Sequence, residues 1–446
     1  MAASHADSLA AIRVRREAVV LLLLLAGLAG IALLVATGQT VGLLGLIALL
    51  AALLVVPGLG YGTPVVLAVA ALVGLPPVLA IAARPDDSAP LKAALILLAV
   101  GAAARAGARL DGWAFAWFGL WSGGLVLSIL GPDPYDLGLP GHVQAFLGYT
   151  SGWAWLLVAV PRDGAARWLR LVERAPVACV ATGLVLAVTG LAPLLQDDGS
   201  GVPRLGGSLI PPHLAMLAIC GLVASMLRGR TGDTRGHWAW VVVNVAICFA
   251  TVTRGAMAAA AVLVLVHLLG GLREARLARG RATAFWLLGA ASLAAGAAVA
   301  LRNQGNSYEG TYNTSGREQA WAFYAQVAGR FPWTGNGLGA AAVANEVERP
   351  PGVQAAFHSP HNEYVHLWLD AGAPLAVALF VVLLVLVVGR LSPVLGRVGA
   401  VSVAVALLLF AAIDNPLSTV QFTAPLAVLV SAAASLTASP DPERRR

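Results

Sequence analysis

The chain has 446 residues, of which 59% are hydrophobic and only 11% are charged, with a mean hydropathy of +0.80. Soluble proteins are about 25% charged, so this composition excludes a soluble enzyme, a disordered tail and a disulfide scaffold. The formal charge of +7 comes from 28 Arg and one Lys against 22 acidic residues. Because most of the arginines lie in short loops between apolar runs, the excess indicates membrane topology and not nucleic-acid binding.

Fourteen apolar runs predict an all-α polytopic membrane protein with about 12–14 transmembrane helices, in a single integral-membrane domain over residues 1–446. No cleavage motif clearly ends the first run, which is therefore predicted to be a membrane helix and not a signal peptide. Several runs are shorter than the roughly 20 residues of a straight span, and 91–104 is the weakest. In chain order the runs are 18–37, 41–58, 63–83, 91–104, 111–131, 144–161, 176–194, 209–227, 237–253, 255–271, 284–301, 373–390, 396–413 and 417–436.

The arginines predict the orientation. If both termini are cytoplasmic and all runs span, 21 arginines fall in cytoplasmic loops and tails and seven fall outside, as the positive-inside rule expects. The cytoplasmic loops include the arginines at 105 and 109, at 162, 167, 170 and 174, and at 390 and 397. The outer ones are Arg84, Arg204, Arg254, Arg302, Arg317, Arg330 and Arg349.

One long polar segment, residues 302–360, is predicted to be a large extracytoplasmic loop, with weak helical periodicity near 316–330. Loops of this length in compact proteins are usually functional. Its glycine-rich stretch Gly335–Gly339 follows no strand and lacks a Walker lysine, so we do not expect a nucleotide site.

The sequence offers no convincing metal site. Cys179, Cys220 and Cys248 lie in apolar runs without a short spacing, and we expect them to be small buried hydrophobic residues. His358 and His361 are spaced by three, but no third ligand stands at a suitable distance in the chain. We therefore predict no metal and no other cofactor.

The outer arginines have two interpretations. Those in the long loop can be explained by translocation of the whole loop regardless of its charge. Arg254 lies between two apolar runs with no polar loop around it, where a charge is expensive. Arg254 and Arg204 are either snorkelling residues at the membrane edge or ligands for an anion. A guanidinium suits phosphate because it is always charged and binds in a bidentate way.

A second candidate group lies where the long loop meets the membrane again, at Phe357–Tyr364. Ser359 followed by Pro360 predicts a helix N-cap with Pro at the first helical position. His361 would then lie in the first turn, where the helix dipole keeps the imidazole neutral and competent as a general base. The alternative is a pair of interfacial histidines without a role.

Four separated motifs resemble the O-antigen ligase and polymerase superfamily of bacterial membrane glycosyltransferases. The first resembles an arginine-glycine stretch before a Pro-Asn helix, with His213 in place of the usual Asn. The second is similar to a Ser-Arg-Gly turn. Their residues are Arg204-Leu205-Gly206-Gly207-Ser208 with Pro211-Pro212-His213-Leu214-Ala215, and Thr253-Arg254-Gly255-Ala256.

The third and fourth motifs fall in and after the long loop. One is similar to an Arg-x-x-x-Trp region followed by Pro-x-x-Gly-x-Gly, and the other fits His-Asn-x9-Gly. Leu375 stands where members of the family usually carry a small or hydroxylated residue. The residues are Ser315-Gly316-Arg317 through Trp321, Phe331-Pro332, Gly335–Gly339, and His361-Asn362 with Gly372.

The resemblance covers residues 204–390 and implies a GT-C-like membrane enzyme. Such enzymes transfer a glycan from undecaprenyl diphosphate to an acceptor hydroxyl, for example on lipid A–core, at the outer side of the bacterial inner membrane. They need neither metal nor nucleotide. The implied partners are the lipid-linked glycan, the glycan acceptor and membrane lipids, with no nucleic acid.

The resemblance also implies roles for single residues. Arg204, Arg254 and Arg317 would clamp the diphosphate, and His361 would take or position the proton of the acceptor. His358 and Asn362 would orient the His361 ring or the sugar. Glu318 or Glu363 is the alternative base.

Three other functions remain open at this point. A polymerase would use the same donor with a second lipid-linked glycan as acceptor, and a protein O-oligosaccharyltransferase would use Ser or Thr. A transporter or a passive scaffold is the alternative from a different class. Coupled carriers usually bury acidic residues within their spans, whereas the acidic residues here are expected to lie in loops, at helix ends or in the 361–372 segment.

Overall fold

The computed structural model describes residues 63–81, 88–109, 111–197, 202–231, 236–273, 317–350, 353 and 358–437. The predicted membrane helices at 18–37, 41–58 and 284–301 lie outside these residues, as does the part of the predicted outer loop at 302–316. The described part is helical, with a single two-stranded β-ladder.

The helices are numbered here in chain order within the described residues. A 3-10 helix (Gly152–Leu157) follows α4, and strands β1 (Leu195–Gln196) and β2 (Arg204–Leu205) pair antiparallel between α5 and α6. The helices are α1 (Thr63–Ile81), α2 (Ala89–Ala106), α3 (Gly112–Leu130), α4 (Gly138–Thr150), α5 (Arg162–Val188), α6 (Pro211–Arg230), α7 (His237–Ala250), α8 (Arg254–Arg273), α9 (Arg317–Ala328), α10 (Ala340–Glu348), α11 (Glu363–Ala371), α12 (Ala373–Ala411) and α13 (Val420–Thr437).

Six of the described helices are long and apolar enough to cross a membrane, namely α2, α3, α5, α6, α12 and α13. Shorter apolar helices lie within α1, α7 and α8. The prediction of an all-α polytopic membrane protein is therefore confirmed. The weakest predicted run, 91–104, forms the 18-residue helix α2.

Helix α5 corrects the predicted loop at 162–175, because the helix begins at Arg162 and not near residue 176. Its first half buries a stripe that includes Ala165, Trp168, Leu169 and Val172, at the three- and four-residue spacing of one helix face. The arginines of this segment occupy other positions of the same helix. A search for continuous apolar runs overlooks an amphipathic helix of this kind.

The predicted span at 144–161 is formed by two shorter pieces, α4 and the 3-10 helix. By length and composition neither piece is among the helices able to cross a membrane, so the predicted span at 144–161 is not confirmed within the described residues. The far end is tied to the α2–α3 loop, since Arg109 N–H donates to the Leu157 carbonyl (2.7 Å) and Ala159 N–H donates to Gly107 (2.9 Å).

Two loops that the charge count assigns to one side of the membrane do meet in space. Arg390 of α12 forms an ion pair with Asp111, which precedes α3, and Arg109 lies 3.5 Å from the same carboxylate. Asp111 also caps α3 by accepting hydrogen bonds from two backbone N–H groups. The loop between α2 and α3 and the segment of α12 around Arg390 therefore share one end of the bundle.

Helix α12 contains two predicted spans joined by a kink at Gly396, whose φ of 75° and ψ of 161° are not helical. Tyr364 contacts both halves: its ring lies 4.7 Å from that of Phe380, and its hydroxyl donates to the Leu408 carbonyl at 2.9 Å. Because one side chain touches residues on both sides of Gly396, the two halves fold back on each other. The second half thus returns the chain to the end of the bundle that holds α11.

Small residues let the central helices approach closely, as is common between membrane helices. Helices α6 and α13 are buried along most of their length. A Cβ atom on Gly221 of α6 would lie 2.5 Å from Oδ1 of Asn244 on α7. Cys179, Cys220 and Cys248 are buried free thiols in this packing, as predicted.

The described part of the long loop packs on α11 through two facing glycines. Gly335 (φ 76°) and Gly372 (φ 79°) have backbones so close that a Cβ on Gly372 would lie 2.3 Å from the Trp333 carbonyl oxygen. Asn336 N–H donates to the Leu369 carbonyl at 2.7 Å. The last glycine of the His-Asn-x9-Gly motif is therefore the docking point of the loop.

We predict that Gly372→Ala releases this loop. Its φ of 79° and ψ of 158° fall in a region that is essentially restricted to glycine, and the methyl group would also collide with backbone. The expected loss of stability is about 2–4 kcal/mol. It should appear as a lower melting temperature and faster proteolysis within 317–350. Gly389→Ala, within α12 and with open space at its Cβ, is the control and should leave both unchanged.

Candidate active site

A buried carboxylate, Asp414, lies in the turn between α12 and α13. Its side chain is 8% exposed, and its Oδ1 lies 3.5 Å from Nδ1 of His361. The Asn415 backbone N–H donates to the same oxygen at 2.9 Å. The distance to His361 is at the long end of a hydrogen bond, and such contacts commonly shorten when substrate binds. A carboxylate in this position holds an imidazole in one orientation and stabilises its protonated form.

Burial alone would raise the pKa of Asp414, and it is the largest single influence on this group. The hydrogen bond with His361, the charge of His361 and the charge of Arg317 together outweigh it, so the pKa of Asp414 is lowered. Asp414 is therefore ionised at neutral pH. A neutral His361 would carry its proton on Nδ1, facing Asp414, so Nε2 is the ring nitrogen suited to accept a proton.

His361 does not lie in the first turn of a helix, which corrects the sequence prediction. Helix α11 begins at Glu363, and its N-cap is Asn362, whose Oδ1 accepts hydrogen bonds from the N–H groups of Tyr364 (3.0 Å) and Val365 (3.2 Å). His361 precedes the cap with a φ of 49°. Such a backbone is rare outside glycine and is found more often at functional sites. The ring is thus oriented by Asp414 and not by the helix dipole.

The predicted cap at Ser359, with Pro360 at the first helical position, is therefore wrong. Asn is as good an N-cap as Ser, and Asn362 stands directly before the apolar periodicity of α11. The Ser359 hydroxyl instead accepts a hydrogen bond from Nδ2 of Asn415 at 2.6 Å. This contact ties the segment before His361 to the turn that carries Asp414.

Arg317 reaches the same turn from the long loop. It is the first residue of α9, and its Nη1 donates to the Ile413 carbonyl at 2.6 Å. Its positive charge also contributes to the lowered pKa of Asp414. A cation is thereby held beside the carboxylate and its histidine.

Arg254 lies near the Ile413–Asp414 turn because the glycine that follows it packs closely against the end of α12. Helix α8 begins at Arg254, and a Cβ on Gly255 would lie 3.0 Å from the Phe410 ring and 3.2 Å from Ile413. The Thr-Arg-Gly sequence therefore allows the start of α8 to pack against the end of α12. A helix start carries partial positive charge, which adds to that of the guanidinium.

Arg204 is buried and contacts the turn that precedes Arg254. Its Nε donates to the Thr251 carbonyl at 3.0 Å, and its Nη2 donates to the Thr253 hydroxyl at 3.3 Å. With these contacts Arg204 fixes the backbone just before Arg254. The structure therefore brings three of the predicted arginines to one region but gives Arg204 a positioning geometry.

The other two predicted residues have different surroundings. The side chain of His358 is 70% exposed and lies 3.8 Å from Glu346 of α10, so it does not hold the His361 ring. Asn362 uses its carbonyl oxygen as the cap of α11, which leaves its amide nitrogen as the group that can meet a ligand. Contact of either residue with substrate stays a prediction.

The two carboxylates that the sequence suggested as alternatives to His361, Glu318 and Glu363, are placed differently from it, as is the neighbouring Asp370. Glu363 is fully buried, and its Oε2 accepts from the Leu417 N–H at 2.8 Å. Asp370 accepts hydrogen bonds from Gly339 N–H (2.9 Å) and Ala341 N–H (2.8 Å), which caps α10 from outside the helix. Neither can meet an acceptor in this conformation, whereas Glu318 is exposed on α9.

Sequence reasoning missed Asp414, although a signal was present. Asp414 lies in the short connection 414–416 between two predicted spans, which the charge count puts on the same side as the arginines and His361. An acidic residue in so short a connection was a candidate partner for a histidine on that side. Nothing in the chain order indicated which histidine it would meet, since the two are 53 residues apart.

A comparison with protein families matches the region that contains all of the predicted site residues except Arg204. Residues 239–380 match the family model described as O-antigen ligase. The match confirms the predicted resemblance to the O-antigen ligase and polymerase superfamily. It includes Arg254, Arg317 and His361, and it supports a function of the ligase or polymerase type. No curated protein matches the chain.

Within the described residues, no three or more His, Cys, Asp or Glu side chains are grouped so that they could hold a metal ion. The site is built from cations, one histidine and one carboxylate. Groups of these kinds can bind an anion beside a histidine that can accept a proton.

We predict that Glu363 makes stability fall as pH rises. Burial is the main reason that its pKa is raised to about 8, against an unfolded value of about 4.3. Between these values the folded state binds more protons than the unfolded state, so stability declines by up to about 1.4 kcal/mol per pH unit. Glu363→Gln should flatten the melting temperature between pH 5 and 8. An unchanged slope in that variant would contradict the assignment.

Proposed function

We propose that this protein transfers a glycan from undecaprenyl diphosphate to an acceptor hydroxyl at the outer face of the bacterial inner membrane, with ligation to lipid A–core as the reaction. The observation that carries the proposal is the convergence at the Ile413–Asp414 turn. Arg254, Arg317 and His361 come from three separate segments and meet there. The matched family supports a function of the ligase or polymerase type.

Arg254 and Arg317 would bind the diphosphate of the donor. The bond between the anomeric carbon and the phosphate oxygen breaks in this reaction, so negative charge develops on the leaving diphosphate. Fixed guanidinium groups stabilise such charge without reorganising at the moment of reaction. Arg204 would act indirectly, by holding the backbone before Arg254.

His361 would act as the general base. The acceptor oxygen forms the new bond to the anomeric carbon, and its proton passes to Nε2 of His361. The imidazolium that results is stabilised by Asp414, which faces Nδ1. The proton can then leave to the solvent or to the diphosphate product, which restores the neutral ring.

The described part of the long loop would shield the reaction from water. Helices α9, α10 and α11 share a small apolar cluster of their own that includes Tyr324, Val327, Ala344 and Leu369. The described part of the loop is therefore packed on α11 through its own apolar cluster. Exclusion of water favours transfer over hydrolysis of the donor.

A glycolipid profile of the host tests the reaction class. Deletion of the gene should cause long glycans to accumulate on the undecaprenyl carrier and leave lipid A–core bare. Single repeats on lipid A–core after deletion would indicate a polymerase instead. An unchanged profile would contradict both and direct attention to protein glycosylation or transport.

We predict that the purified chain in proteoliposomes loses transfer activity when the contact between His361 and Asp414 is removed. His361→Ala and Asp414→Asn should each lower kcat by about 10²–10⁴-fold, because general-base catalysis and its support contribute that much. Arg254→Ala and Arg317→Ala should lower kcat by about 10²–10³-fold. Arg349→Ala, an exposed arginine of the same loop, is the control and should remain near wild type. Full activity in His361→Ala would rule out the proposed base.

A further inference from the structure

A cavity of about 520 Å³ opens between α1, α2 and the starts of α6 and α13. Sites for small molecules have volumes of about 300–1,000 Å³. One wall is apolar and the other is lined by an amine, a histidine, amides and hydroxyls. The polar lining residues are Ser88, Lys92, Gln196, Ser208, His213, Ser418, Thr419 and Gln421.

Lys92 is the single lysine of the chain, and it lines this cavity from the first turns of α2. Its ammonium group lies beside Gly148 of α4, where a Cβ atom would be 3.1 Å from Nζ. Glycine at 148 therefore leaves room for the amine between the helices. No carboxylate is among the described residues that line the cavity.

The cavity adjoins the candidate active site but is distinct from the arginine cluster. His213 lies within electrostatic reach of both Asp414 and His361. The wall formed by Ser418 and Thr419 belongs to the segment that follows Asp414, and both hydroxyls donate to the Asn415 carbonyl (3.2 and 2.7 Å). None of the arginines at 204, 254 and 317 lines the cavity.

The hydroxyl groups of the wall donate to backbone carbonyls and so present acceptor lone pairs. The Ser208 hydroxyl donates to the Val73 carbonyl at 2.8 Å, and Nε2 of Gln196 donates to the Leu209 carbonyl at 3.1 Å. Oxygen acceptors suit the hydroxyl groups of a sugar, and one ammonium group suits a single anionic substituent. A diphosphate is better matched by the two arginines beyond the cavity.

We propose that this cavity binds the acceptor and that Lys92 recognises a phosphate or other anionic group on the acceptor's sugar. The inference rests on the proposed function, because it assigns the second substrate of the same reaction. The acceptor would lie between Lys92 and His213, with its attacking hydroxyl directed past His213 toward His361. The donor would occupy the arginine side of the Ile413–Asp414 turn.

The test uses the full chain in proteoliposomes with an undecaprenyl-diphosphate oligosaccharide as donor. The acceptors are lipid A–core with and without phosphate on its core sugars. Wild type should have a KM about tenfold lower for the phosphorylated acceptor, and Lys92→Met should remove that difference. The KM for the donor should not change, and Lys92→Arg should retain most of the preference.

Two further variants separate recognition from folding. Gly148→Ala keeps the charge but forces the amine to move, and it should weaken the preference for the phosphorylated acceptor. Arg105→Met removes a positive charge from the last turn of the same helix α2, away from the cavity, and should leave the preference intact.

Three results would overturn the inference. They are equal KM values for the two acceptors in wild type, a Lys92→Met effect on the donor alone, and an equal loss in Arg105→Met. Binding of the phosphorylated acceptor to His361→Ala, measured without donor, tests the cavity separately from turnover. No transfer by wild type would contradict the proposed function, whereas Lys92-dependent binding in the same preparation would still support an anionic sugar site.

Discussion

The ionised carboxylate of Asp414 is the group around which the site is organised. A buried charge is costly unless it is paired, and here His361 and Arg317 supply the pairing from two different segments. The same pairing keeps the imidazole in one orientation. The position of His361, the position of Arg317 and the stability of the turn therefore depend on the same charge interactions with Asp414.

Close approach of backbones is what allows separated motifs to reach that carboxylate. Gly255 lets α8 start against the end of α12, and the facing Gly335 and Gly372 dock the long loop on α11. Asp370 then fixes the start of α10 by accepting hydrogen bonds from backbone N–H groups. The glycines of the motifs are thus contact points between segments. These contacts position Arg254 and His361, which belong to the same motifs.

Much of the fold could be predicted from composition and periodicity, because an apolar solvent leaves helices as the simplest way to satisfy the backbone. The weak run at 91–104 is a helix for this reason. The predictions failed where helices are amphipathic or composite. Arg162–Val188 buries one stripe in its first half, and residues 138–157 form two short helical pieces, so the bounds of these elements do not coincide with continuous apolar runs.

For the site, the sequence by itself determined the residue types and, through charge counting, the expectation of a common side for Arg254, Arg317 and His361. Local capping rules placed His361 wrongly, because Ser359 and Asn362 are both good caps and only the packing of α11 decided between them. The partnership with Asp414 was decided by tertiary structure alone. It requires α12 to fold back at Gly396, and a contact across 53 residues depends on that packing and not on any local pattern.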